Sequence, residues 1–141
     1  MLPSEQVHVG SSLEVMVRGP VGRVQIAKFA AGTRDFNPLH LDDEFARTAG
    51  FPTAVAHGPL TLAFFMQALS ANFGPLSVRG VAANFKAPVF PGDVLEIGGT
   101  VDEIEEKDGV RYATATLFAR RGDTTVATGS GRAVLSPGGT P

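Results

Sequence analysis

Three observations place this chain of 141 residues in the α+β class, with an antiparallel sheet of about five strands wrapped around one central helix. The stretch from Leu60 to Phe73 leaves almost no polar face, and a helix apolar on every side is one that the rest of the fold encloses. After Pro75 the period changes: apolar and polar residues alternate two by two in successive segments separated by turn residues. Finally, the chain is 43% hydrophobic with no shift of composition along its length, enough for one domain with a real core. Residues 1–141 therefore read as a single domain.

Taken in order, Leu13 to Arg18 alternates as a short strand, and Gly19-Pro20 ends it. Val21, Val24, Ile26, Ala27, Phe29, Ala30 and Ala31 then fit a helical face, with Gly32 just past its end. A second, short helix starts with Asp42-Asp43-Glu44, three acids that complement its dipole, and Gly50 and Pro52 stop it. In the central helix Pro59 suits the first position, where a missing N–H costs nothing, and Gly58 suits the cap. Phe64-Phe65-Met66 reads as core filling before it reads as the lining of an acyl tunnel.

The strands follow as Val81 to Val89, Leu95 to Asp102, Val110 to Ala119 and Thr124 to Leu135. Pro91-Gly92-Asp93, Lys107-Asp108-Gly109 and Arg121-Gly122-Asp123 are the turns between them. This predicts a meander of consecutive strands, joined by the strand at Leu13. So small a sheet has exposed edges, and pairing them across a two-fold axis predicts a homodimer. The tail, 136–141, carries no periodic pattern and is expected to fray.

The chemistry concentrates at Asp35-Phe36-Asn37-Pro38-Leu39-His40 and at His57-Gly58-Pro59. Residues five apart do not share a helix face, so Asp35 and His40 converge only on an irregular backbone. Asn37-Pro38 supplies it: proline keeps the preceding residue out of the α region, and the Asn side chain can hold the turn by bonding nearby backbone. Phe36 and Leu39 are expected to pin the turn into the core.

A carboxyl group titrates near 4 and an imidazole near 6.5, so carboxylate and neutral imidazole coexist near neutral pH and can hold one water between them. The same residues would also build a purely structural Asx turn. The start of an enclosed helix at Gly58 aims unpaired N–H groups and the positive dipole end at whatever lies in front of it, which suits a developing oxyanion. Since Pro59 has no N–H, the donor would be Gly58.

Composition narrows the function. Net charge is −2 from 12 basic and 14 acidic residues, with no basic cluster longer than Arg120-Arg121, which argues against nucleic-acid or membrane-surface partners. No cysteine occurs, so thiolate nucleophiles and cysteine-bound metals are excluded. With three histidines, His8 being remote in sequence, a metal site is not expected either. Met1 to Gly10 has neither a basic start nor an apolar run, so a cytoplasmic protein is expected.

Phe29-x5-Asp35-x-Asn37-Pro38-Leu39-His40-x5-Ala46, Ala56-His57-Gly58 and Phe85-Lys86-x-Pro88-Val89-x-Pro91-Gly92-Asp93 together resemble the MaoC-like (R)-specific enoyl-CoA hydratases. The resemblance implies a hot-dog fold, usually dimeric. It implies Asp35 and His40 as the catalytic pair, Asn37 as their companion and the Gly58 amide as receiver of a thioester carbonyl.

Two positions depart from the pattern. Arg34 stands where the family often has glycine, and Pro59 where it often has methionine or leucine. Arg34 is an alternative contact for a coenzyme phosphate, and His57, beside the cap, is either a substrate contact or a structural hydrogen-bonder. The implied reaction is reversible hydration of a trans-2-enoyl-CoA to the (R)-3-hydroxyacyl-CoA, with no cofactor beyond the acyl carrier. A 3-hydroxyacyl-ACP dehydratase, a hot-dog thioesterase and a non-catalytic acyl-thioester binding module are the alternatives.

Overall fold

A computed structural model describes residues 1–135; the tail expected to fray, 136–141, lies outside the described residues. The elements are β1 (Met16–Arg18), α1 (Arg23–Thr33), α2 (Pro38–Leu41), α3 (Asp43–Thr48), α4 (Gly58–Phe73), β2 (Val78–Phe85), β3 (Leu95–Lys107), β4 (Val110–Arg121) and β5 (Thr124–Leu135). The strands form one antiparallel five-stranded sheet in the order β1-β3-β4-β5-β2. The expected α+β hot-dog architecture is present, with α4 lying against the sheet.

Packing of α4 explains the glycines in β5. Phe65 and Leu69 are fully buried in one cluster with Ile97, Leu117, Ala127 and Ala133 from the strands. A Cβ on Gly129 would stand 2.8 Å from the Phe65 ring, and one on Gly131 would run into Leu69. The missing side chains let the helix settle onto the sheet, where each buried Leu or Phe contributes roughly 1.5–3 kcal/mol.

Three expectations need correction. Only β3, β4 and β5 form a meander, because β2 pairs with β5 at the far edge instead of with β3. Pro91-Gly92-Asp93 is consequently no hairpin turn. It docks on Val21, whose N–H donates to Asp93 O (2.8 Å) and whose carbonyl accepts from Gly92 (2.7 Å).

Second, α4 is not enclosed on every side in a single chain. Met66 is 47% exposed and Gln67 and Ala71 are also open, whereas Phe64 and Phe65 fill the core as expected. The third correction concerns α1, which begins at Arg23, leaves Val24 exposed and runs through Gly32 to Thr33. Its cap is Arg34, in the left-handed region at φ 59° and ψ 25°.

That conformation places Asp35 at the mouth of the site, and it costs a residue with a Cβ about 1–2 kcal/mol. Arg34→Gly is therefore expected to stabilise the fold by up to about 1 kcal/mol, since glycine carries its own entropic penalty. Urea unfolding of the two proteins checks this. An Arg34→Gly chain less stable than the parent would mean that the arginine side chain, not the backbone, dominates there.

Candidate active site

The Asp35 turn is built as its residue types require. Asn37 caps α2, its Oδ1 accepting the Leu39 N–H at 2.9 Å, and Pro38 opens the helix. Asp42 then caps α3 by accepting from Glu44 (2.9 Å) and Phe45 (3.1 Å). Of the two expected apolar anchors, Leu39 is half-buried but Phe36 is 59% exposed. Asn37, Asp42 and the backbone hold the turn where a Phe36 anchor was expected.

Asp35 and His40 do converge. Asp35 Oδ2 lies 3.7 Å from His40 Nε2; the Asp side chain is half exposed and the His side chain 12% exposed. His40 Nδ1 lies 2.6 Å from Val55 O. A carbonyl only accepts, so Nδ1 carries a proton, and in the neutral imidazole Nε2 turns its lone pair toward the carboxylate. Two acceptors cannot bond each other at that distance, but one water about 2.8 Å from each can donate to both.

His57 caps the start of α4, with Gly58 first and Pro59 second in the helix, one position later than expected. Its ring is 1% exposed and stacked on His40, centroids 3.7 Å apart at 24°. His57 Nε2 lies 3.0 Å from the Asp35 backbone carbonyl. Asp35, His40 and His57 thus bring three donor atoms within 4.8 Å, a grouping that sequence distance concealed. His57 Nε2, the atom that lies 4.0 Å from Asp35 Oδ2, is spent on that carbonyl, so only Asp35 Oδ2 and His40 Nε2 face each other with free lone pairs, short of the three protein ligands of a catalytic zinc site.

In front of the pair lies a cavity of about 390 Å³, lined among others by His40, Gly58, Thr61, Phe85, Lys86 and Val126. Such a volume suits a small-molecule group. The Gly58 N–H is one of the donors that every helix start leaves unpaired within the helix. A Cβ on Gly58 would stand 2.9 Å from the Phe85 ring. Arg34 is exposed beside Asp35.

Several bracing residues were not singled out in the sequence. Arg121, in an expected hairpin turn, donates to Pro88 O (2.9 Å) and to Asp93 Oδ2 (2.5 Å), and Asp93 accepts from Phe90 N–H (2.8 Å). Together they fix the cavity wall after β2. On the other side, Asp43 accepts from Ala54 N–H (2.9 Å), from the Thr53 hydroxyl (2.7 Å) and from both Arg23 guanidinium nitrogens (3.0 and 2.9 Å). This ties α1 and α3 to the segment that presents Val55 O to His40. Paired charges so far apart in sequence give no local signal.

The Ala54 N–H, then Thr53 and Arg23, hold the Asp43 carboxyl well below the usual carboxylate range. A depressed folded-state value adds stability above the ordinary range, and that stability is lost as pH falls through about 4 and below. Asp43→Asn should be less stable than the parent at neutral pH, the gap closing on acidification. Parallel acid-unfolding curves with a constant offset would contradict the assignment.

Comparison with known proteins places the fold in a family. Residues 5–121 match the family model described as MaoC like domain. The chain is 32% identical over 123 residues to an (R)-specific enoyl-CoA hydratase of Aeromonas caviae, covering 86% of this chain and 90% of that protein. It is 34% identical over 115 residues to a mitochondrial 3-hydroxyacyl-[acyl-carrier-protein] dehydratase of Arabidopsis thaliana, covering 78% and 68%. Among solved structures, the (R)-hydratase from A. caviae involved in PHA biosynthesis superposes with a TM-score of 0.80 at 31% identity, over 94% of this chain and 99% of that one. With a family match over most of its length and a fold and residue pattern to suit, the chain belongs to the MaoC-like domain family.

Proposed function

We propose that this protein is a hydro-lyase that reversibly adds water across a trans-2-enoyl-CoA to give the (R)-3-hydroxyacyl-CoA. The observation that carries the reading is the 3.7 Å separation of Asp35 Oδ2 and His40 Nε2, the histidine lining a cavity that also contains the Gly58 helix start. In the forward direction the pair orients a water whose oxygen bonds to C3 of the enoyl group, while one of the two takes its proton. The C2=C3 electrons move toward the thioester oxygen, where the Gly58 N–H receives the developing charge, and the proton returns to C2. Atoms balance without a redox partner or cofactor.

The (R) configuration is supported by the name of the Aeromonas relative. Chromatography of the product on a chiral phase tests it, the (R) isomer being expected and an (S) or racemic product contradicting it. The Arabidopsis relative supports a second reading, dehydration of a 3-hydroxyacyl-ACP. Comparing kcat/KM for the same acyl group on the two carriers separates them. No helix among the described residues is long and apolar enough to cross a membrane, and a cytoplasmic location is part of the proposal.

The working unit we propose is a homodimer. Among the described residues strand β2 is paired on one side only, and Met66, Phe36 and Phe85 stand open on the same chain. An eight-residue bare edge beside exposed apolar groups invites a second copy. Light scattering should give twice the chain mass at micromolar concentration; a strict monomer would remove this part of the proposal.

A further inference from the structure

His57 is the one buried histidine whose position the addition of water does not itself explain. Its Nε2 lies 3.0 Å from Asp35 O, an acceptor, so the ring proton is on Nε2. Nδ1 is then a lone pair, buried and without a partner among the described residues. An orphaned buried acceptor is costly, and a core position beside Phe29, whose ring centroid is 5.1 Å away, would take a phenylalanine or leucine without that cost. The imidazole therefore needs another reason to be there.

Its contacts supply one. Asp35 follows the left-handed cap of α1, and His40 sits on the one-turn helix α2, so no regular element joins them. His57 touches both: it donates to the backbone of the first and lies face to face with the ring of the second. His40 is held at one edge by Val55 O and on one face by His57, which leaves rotation about neither axis. We propose that His57 is a positioning residue that sets the separation of Asp35 and His40, its ring plane orienting His40 and its N–H anchoring Asp35. This rests on the hydratase reading only for its kinetic test.

Two variants separate the contacts. His57→Phe keeps the stack and removes the orphaned nitrogen but loses the bond to Asp35; His57→Gln keeps a donor and loses the ring. His57→Phe should melt no lower than the parent. Each variant should nevertheless lose about 10- to 100-fold in kcat with KM changed less than about twofold, as misplacement of a reacting group without loss of binding requires. A merely structural role predicts that a stably folded His57→Phe keeps its kcat. Either folded variant with kcat within about threefold of the parent overturns the proposal.

Nitrogen-15 spectra of the histidine rings give a readout that needs no activity. In the parent, His57 should be the Nε2–H tautomer with an unbonded Nδ1, and His40 the Nδ1–H tautomer. In His57→Phe the His40 signals should remain those of a stacked, ordered ring, and in His57→Gln they should broaden or mix tautomers. A parent that fails to hydrate enoyl thioesters while showing these spectra sinks the functional reading and leaves the positioning intact. Unchanged His40 signals in His57→Gln sink the positioning whatever the activity.

Discussion

Asp35→Asn, His40→Gln and the double variant are expected to lose enoyl hydration to nearly the same extent, each by roughly 10²- to 10⁴-fold. The reason is geometric. At 3.7 Å the two groups address one water, so removing either leaves the other with nothing useful to hold. Groups that act as a unit are strongly non-additive. Both substitutions keep shape and hydrogen-bonding capacity, and Asp35 is half exposed, so the fold and the affinity for acyl-CoA should survive. Rates from enoyl absorbance, with circular dichroism as the folding control, decide it. If the single losses multiply in the double variant, the two residues act independently and the shared water is wrong.

Gly58→Val is expected to cost turnover by about a hundredfold or more, the scale on which a lost oxyanion donor is felt. The backbone N–H remains in that variant, but a side chain on Gly58 meets the Phe85 ring and takes up room in the cavity that both residues line. Phe85 is half exposed and can swing away, so the helix start should still fold. The loss should therefore appear in kcat more than in stability. A folded Gly58→Val enzyme with full activity would remove the Gly58 amide from the mechanism.

The features legible in the sequence were those written locally. Asn37-Pro38 announces a turn, and the turn brings Asp35 and His40 together; the apolar run from Leu60 announces α4. Alternation identifies strands but says nothing about partners, so it predicts β2 beside β3 where the structure pairs β2 with β5. Likewise, a run apolar on every side was read as enclosed by one chain, although exposed Met66 leaves that face for something else to cover.

Features set by tertiary contact left no local trace. His57 lies seventeen positions beyond His40 in sequence and against it in space. Arg121 and Asp93 meet only because β4 ends where the β2–β3 connection passes. At Arg34 local preference pointed the wrong way: Gly32 offered the ordinary helix stop, yet the chain runs on and turns at an arginine. The departure from a regular end brings Asp35 to within 3.7 Å of His40.

Water is expected to add to the double bond conjugated with a thioester and not to the thioester carbonyl. Wild-type protein mixed with crotonyl-CoA tests it in one cuvette, reading the conjugated ultraviolet absorbance while a thiol reagent reports free coenzyme A. The expected result is that absorbance falls to an equilibrium with no thiol released. Thiol appearing in step with the loss of acyl-CoA, or neither signal changing while acyl-CoA remains bound, would contradict it.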